Sequence, residues 1–101
     1  MPSGPPARLQ WAVQQLEIAP YDQVLEIGCG PAVAVALVCE RLTTGRITAV
    51  DRSATAVEPT IRRNEAHIAS GRAVVEHCEL ADLDSRRGPF GKIFAVNVNL
   101  F

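Results

Sequence analysis

Apolar and polar positions along this chain switch repeatedly between a helical and a strand period. From Ala7, the residues Leu9, Ala12, Val13 and Leu16 fall at i, i+3, i+4 and i+7. That spacing is one face of an amphipathic helix, which stops before Pro20. Trp11 lies off the stripe, free to pack on a neighbouring element or cover a site. Residues 23–27 form a short apolar run with one carboxylate, Glu26, and predict a buried strand. Residues 31–42 carry almost no polar side chain before Glu40 and predict a helix buried against a sheet, with Gly45 as a left-handed cap behind it. Residues 46–51 are β-branched at Ile47, Thr48 and Val50 and predict a second strand closing on Asp51. Ser53 then suits a helix N-cap, and Val57, Ile61 and Ile68 mark the apolar stripe of one helix running to Ser70-Gly71. Pro59 inside that stripe predicts a kink or a distorted first turn. Residues 72–78 and 92–97 predict a third and a fourth strand, joined by a loop over 79–91 with little helical signal.

Strands alternating with helical stretches define an α/β fold with a parallel sheet covered on its faces. Two right-handed crossovers place the first three strands. A length of 101 residues fits one domain, expected over residues 7–101 behind a flexible leader at 1–6.

Composition narrows the function by exclusion. The net charge is -1 with both signs interspersed, which argues against a nucleic-acid binder working through a broad basic field. The pairs Arg62-Arg63 and Arg86-Arg87 read as solvated faces. Three cysteines, Cys29, Cys39 and Cys78, show neither CxxC pairing nor zinc spacing, so no metal site is expected. The first residues lack the basic-then-apolar order of a signal peptide, and no apolar run approaches the ~20 residues that span a bilayer. A cytoplasmic location is the expectation.

The chemistry starts at Gly28-Cys29-Gly30, between the first strand and its helix. Glycine serves where the backbone needs positive φ or where a ligand must approach it closely. The dinucleotide fingerprint GxGxxG/A fits Gly28 and Gly30 but meets Val33 at its last position, which disfavours an NAD-binding oxidoreductase domain. The phosphate-binding Gly-Lys-Ser/Thr ending is absent. A different spacing, GxGxG with a carboxylate two residues ahead, fits Glu26, Gly28, Gly30 and Ala32, with alanine in place of the last glycine.

On those residues the chain resembles the class I S-adenosylmethionine-dependent methyltransferases, and the resemblance covers nearly its whole length. Residues 24–32 resemble the family's first motif, 47–53 its second, 79–83 the segment after the third strand and 90–97 the fourth-strand motif. The resemblance implies a Rossmann-like sheet ordered 3-2-1-4 and S-adenosyl-L-methionine as cofactor. It also implies roles for single residues. Gly28, Cys29 and Gly30 would form the turn against the methionine moiety, with Glu26 orienting the turn or the ligand's amino group. Asp51 would offer its two oxygens to the ribose hydroxyls, flanked by Arg52. Asp82 would face the adenine amino group, with Ala81 and Leu83 against the ring, and Asn97 would close the site from the fourth strand.

Plainer roles stand beside these. Asp51 could cap the helix behind Ser53, Asp82 could be an ordinary loop acid, and Cys29 a small filler of the turn. His67 and His77 read as surface or packing residues. No catalytic residue and no methyl acceptor can be named. Asn97-Val98-Asn99-Leu100 departs from the Asn/Asp-Pro-Pro-aromatic motif of the family's DNA-amino variant, which disfavours that substrate. Family members continue past the fourth strand, so the chain is expected to be a truncated or fragmentary cofactor-binding half. Self-association through the apolar fourth strand is the matching expectation.

Overall fold

A computed structural model describes residues 7–29 and 32–95 of the chain. Helix α1 (Ala7–Gln15) leads into strand β1 (Gln23–Ile27), helix α2 (Val33–Cys39) and strand β2 (Arg46–Asp51). Helices α3 (Ala54–Arg63) and α4 (Glu65–Ala69) follow, then strands β3 (Ala73–His77) and β4 (Lys92–Phe94). Two single 3-10 turns, Leu80–Asp82 and Ser85–Arg87, occupy the connection between the last two strands. The expected leader at 1–6 and the end of the expected fourth strand lie outside the described residues.

The four strands form one parallel sheet in the order β3-β2-β1-β4, as the resemblance implies. Parallel pairing brings every strand's carboxyl end to one edge, the edge where open α/β sheets bind ligands. The register sets Val24 beside Ile47 and Ile47 beside Ala73, and Glu26 beside Ala49 and Phe94. Val24, Ile47, Ala49 and Ala73 join Val13, Val35, Val38, Cys39, Leu42 and Val57 in the core between the sheet and its helices. Glu26 belongs to that same row of β1 and is the charged residue in it.

The structure departs from the sequence reading in two places, each for a tertiary reason. The expected single helix after Ser53 is two. α3 runs through Pro59 unbroken, and the break falls at Asn64 instead. The buried face there is Val57, Thr60 and Asn64, while Ile61 is exposed. Asn64 leaves the helical conformation because its side-chain amide donates to the Ala32 carbonyl (3.2 Å) and the Thr60 carbonyl (3.0 Å). Gly45, expected as a left-handed cap, is not among the positive-φ glycines of the described residues, which are Gly28 and Gly71. It is needed for close approach. The N–H groups of Thr43, Thr44 and Gly45 all converge on the Pro20 carbonyl at 2.8, 3.2 and 2.9 Å, pressing Gly45 onto the Tyr21-Asp22 backbone. Trp11 is 63% exposed. Among the described residues no helix is long and apolar enough to cross a membrane.

Candidate functional site

Strand β1 ends at Ile27, and the chain turns at Gly28 with φ 84, a conformation that only glycine adopts without strain. The Gly28 amide donates to the Val50 carbonyl (2.7 Å), which ties the turn to β2. A Cβ at Gly28 would meet no atom within 4 Å, so the space on that side of the turn is open. Gly30 lies outside the described residues. Ala32, where the family pattern has its last glycine, is the N-cap of α2 and takes the left-handed conformation, φ 68. That backbone costs a non-glycine residue roughly 1–2 kcal/mol. Removal of a buried methyl and the freer unfolded chain offset part of the gain. Ala32→Gly should therefore raise stability by about 0.5–1 kcal/mol, read as a higher urea midpoint at unchanged m-value.

Asp51 closes β2 at the same edge and binds main chain with both oxygens. Oδ2 accepts from the Cys29 amide (2.9 Å) and Oδ1 from the Ser53 amide (2.9 Å). One side chain thus clamps the glycine turn to the start of α3. Ser53 is the N-cap of α3, as expected, but its side chain makes no capping bond. A carboxylate has about four acceptor directions, so Asp51 keeps two for a ligand. Hydrogen bonds to a charged group contribute about 1.5–3 kcal/mol. Asp51→Ala should consequently lower stability by about 2–3 kcal/mol as well as weaken any ligand. Asp51→Asn, which keeps one acceptor oxygen, should lose about half as much on chemical denaturation.

Glu26 is 0% exposed, and both of its carboxyl oxygens lack a hydrogen-bond partner. Burial, with a smaller contribution from the neighbouring Asp51 charge, pushes its carboxyl up to about 8. Cys29 contributes its amide to Asp51 while its thiol lies in the core, where burial pushes it up to about 11 against a smaller opposing pull from Thr60. A thiol so placed stays protonated and is no nucleophile.

The end of β3 joins this edge through main-chain contacts. The Cys78 amide donates to the Asp51 carbonyl (3.0 Å), and the His77 ring nitrogen Nε2 lies 3.1 Å from the Arg52 carbonyl. His77 thus braces the Arg52 backbone, a contact invisible in the sequence. Arg52 itself is exposed, as are Ala81 and Asp82 on the 3-10 turn just beyond, and Leu83 is half-buried. Asp82 acts on the Cys78 thiol, which burial first, then Glu76, Asp82 and Glu79, push above its usual range. The structure therefore brings Glu26, Gly28, Cys29, Asp51 and Arg52 to one sheet edge, with residues 77–83 running beside it. Asn97 lies outside the described residues.

Asn64 and Thr60 escaped the sequence reading. Asn64 supports the turn from below by holding the Ala32 carbonyl, and its Oδ1 is buried without a partner. The one available signal was the polar pair Thr60 and Asn64 at i, i+4, interrupting an otherwise apolar stripe. A surface groove lined by Ile61, Ile68, Val75, Glu76 and Arg87 runs along the outer side of β3, away from the turn.

The fold agrees with that of known proteins. A family model described as a methyltransferase domain matches residues 24–101. The chain belongs to that family. Among solved structures, protein-L-isoaspartate O-methyltransferase superposes with a TM-score of 0.75 at 19% identity, 92% of this chain matching 29% of that one. A SAM-dependent O-methyltransferase from Thermotoga maritima gives 0.75 at 10% identity, covering 94% of this chain and 36% of that chain. Coclaurine N-methyltransferase bound to N-methylheliamine and SAH gives 0.72 at 19% identity, covering 88% and 26%. The chain spans little more than a third of each of these structures, or less. No match is found among curated protein sequences. Residues 24–101 thus match a methyltransferase domain, and the described sheet has a Rossmann-like fold.

Proposed function

We propose that this chain is the cofactor-binding part of a methyltransferase and holds S-adenosylmethionine at the carboxyl edge of its sheet. The observation that carries the reading is Glu26. A buried carboxyl group with neither oxygen partnered is costly unless a ligand completes it. It lies one residue of strand away from a glycine turn whose outer side is open. An amino-acid ligand with a cationic ammonium group supplies what Glu26 lacks. Asp51, with two acceptor directions left, suits the ribose hydroxyls, and Asp82, with Ala81 and Leu83, suits the adenine from the turn beside it. Cys29 and Gly28 contribute backbone to the pocket wall and Arg52 stands at the rim, while Gly30 and Asn97, expected to contribute from the sequence, lie outside the described residues.

When bound, S-adenosylmethionine supplies an activated methyl group. The chain's own residues bind and orient it, and much of the rate of such transfers comes from orientation. Equilibrium dialysis with S-adenosylmethionine tests binding, and a radiolabelled methyl assay on a broad acceptor panel tests transfer separately. Absence of binding by the folded chain sinks the cofactor reading. Binding without transfer limits the chain to a cofactor-binding module.

Two further readings are supported less directly. β4 is an outer strand of the described sheet, and Ile93 on it is 57% exposed. An apolar outer strand favours pairing with a second chain, and sedimentation of the purified protein tests it. The cytoplasm suits Cys29, Cys39 and Cys78, all of them free thiols.

A further inference from the structure

The charge state of the site follows from how its two acids are held. Both oxygens of Asp51 already accept main-chain amide protons. Glu26 has the opposite surroundings. It is fully buried, its oxygens meet no donor, and the charge that acts on it is Asp51.

Among the described residues the cations of the surrounding elements stand away from it: Arg46 opens β2 and Lys92 opens β4 at the opposite end of the sheet, and Arg63 on α3 is exposed. β2 places Ala49 beside it and β4 places Phe94. The turn brings the Cys29 thiol, held protonated. α2 carries no charged side chain. On α3, Thr60 and Asn64 are the buried polar residues, and Arg62 pairs with Glu58 at the surface. Arg8 on α1 is exposed.

We propose that cofactor binding at this turn drives a proton off Glu26, which is a neutral acid in the free protein and a carboxylate paired with the ligand's ammonium group. This rests on the cofactor reading above. The step balances simply. The O–H bond of the Glu26 carboxyl breaks, the proton passes to solvent buffer, and the carboxylate gains the N–H donors that it lacks. Binding then strengthens as pH rises, because at low pH the proton competes with the ligand. It also selects a cationic tail, since a ligand with a neutral tail leaves Glu26 protonated.

The test is titration calorimetry of the full chain with S-adenosylhomocysteine, in buffers of different ionisation enthalpy. At pH 6.5 the ligand amine is already charged and Glu26 still holds its proton, so release of close to one proton per ligand is expected. Affinity should rise about tenfold between pH 6 and 7 and flatten above pH 8. The isosteric Glu26→Gln variant, where folded by circular dichroism, should bind more weakly and release no proton. Wild-type binding without proton exchange and with a flat pH profile would overturn the inference and leave the cofactor reading standing. Release that persists in folded Glu26→Gln would also overturn it. Absence of binding between pH 6 and 9 would remove the cofactor reading and this inference together.

Discussion

Gly45→Ala is expected to cost about 4 kcal/mol of stability, at the far end of single substitutions. A Cβ at this position would sit 2.2 Å from the Asp22 carbonyl oxygen, 2.7 Å from the Asp22 nitrogen and 2.8 Å from the Tyr21 carbonyl carbon. All three are backbone atoms, so no side chain can rotate away. Moving that backbone would break the three amides gathered on the Pro20 carbonyl and the Arg46 amide on the Asp22 carbonyl (3.0 Å). The same corner holds the Asp22–Lys92 ion pair at 3.0 Å, which joins the start of β1 to β4. The strain therefore spreads into the pairing of three strands. Urea denaturation reads the loss, with Thr44→Ala as an exposed neighbour expected to change stability by less than about 0.5 kcal/mol. A Gly45→Ala protein within about 1 kcal/mol of wild type would show that the corner is far more pliant than this packing allows.

Local pattern alone could not reveal that role. Gly45 and the backbone it touches are separated by more than twenty positions, and its nearest sequence cue, the end of a helix, pointed to a cap. The same limit explains α3. Thr60 and Asn64 are polar, so an apolar stripe drawn through Val57, Ile61 and Ile68 passed over them. Burial of Asn64 depends on the Ala32 carbonyl, which lies on another element. β1 and β2 matched to the residue because both are short apolar runs with sharp ends, the second with β-branched side chains that suit a pleated surface.

The candidate site was legible to a similar depth. The spacing of Glu26, Gly28 and Asp51 placed all three at the carboxyl edge of the sheet, because strand ends and turn residues are local features. Their partners are not. Nothing in the sequence indicated that Asp51 would grip Cys29 and Ser53 with both oxygens, or that Glu26 would be left with none. The first makes Asp51 a structural clamp before it is a ligand contact. The second makes Glu26 a source of pH dependence even without ligand.

That dependence is the other large effect. The Glu26 carboxyl rises from about 4.5 to about 8 on folding, from burial first and the Asp51 charge second. Between those values the folded chain holds one proton more than the unfolded chain, so stability falls as pH rises, by about 1.4 kcal/mol per unit. The Glu26 contribution is fully present below pH 4.5 and lost as pH passes 8, a total of at most about 5 kcal/mol. The shifts of Asp22, Cys29 and Cys39 act outside this window. Asp22 lies below its usual range, through the Ala19 amide first and Lys92 second, so its contribution is present above pH 3.8 and lost as pH falls further. The buried Cys29 and Cys39 thiols, both raised to about 11 chiefly by burial, lose theirs from pH 9 upward. Denaturation midpoints of the free protein between pH 5 and 8 should therefore fall steadily, and Glu26→Gln should flatten the slope. The slope is the diagnostic quantity, because the buried amide of the variant shifts stability by the same amount at every pH. A wild-type profile that is flat between pH 5 and 8 would mean that water or a neighbouring donor satisfies Glu26, and would remove the physical basis for proton release on ligand binding.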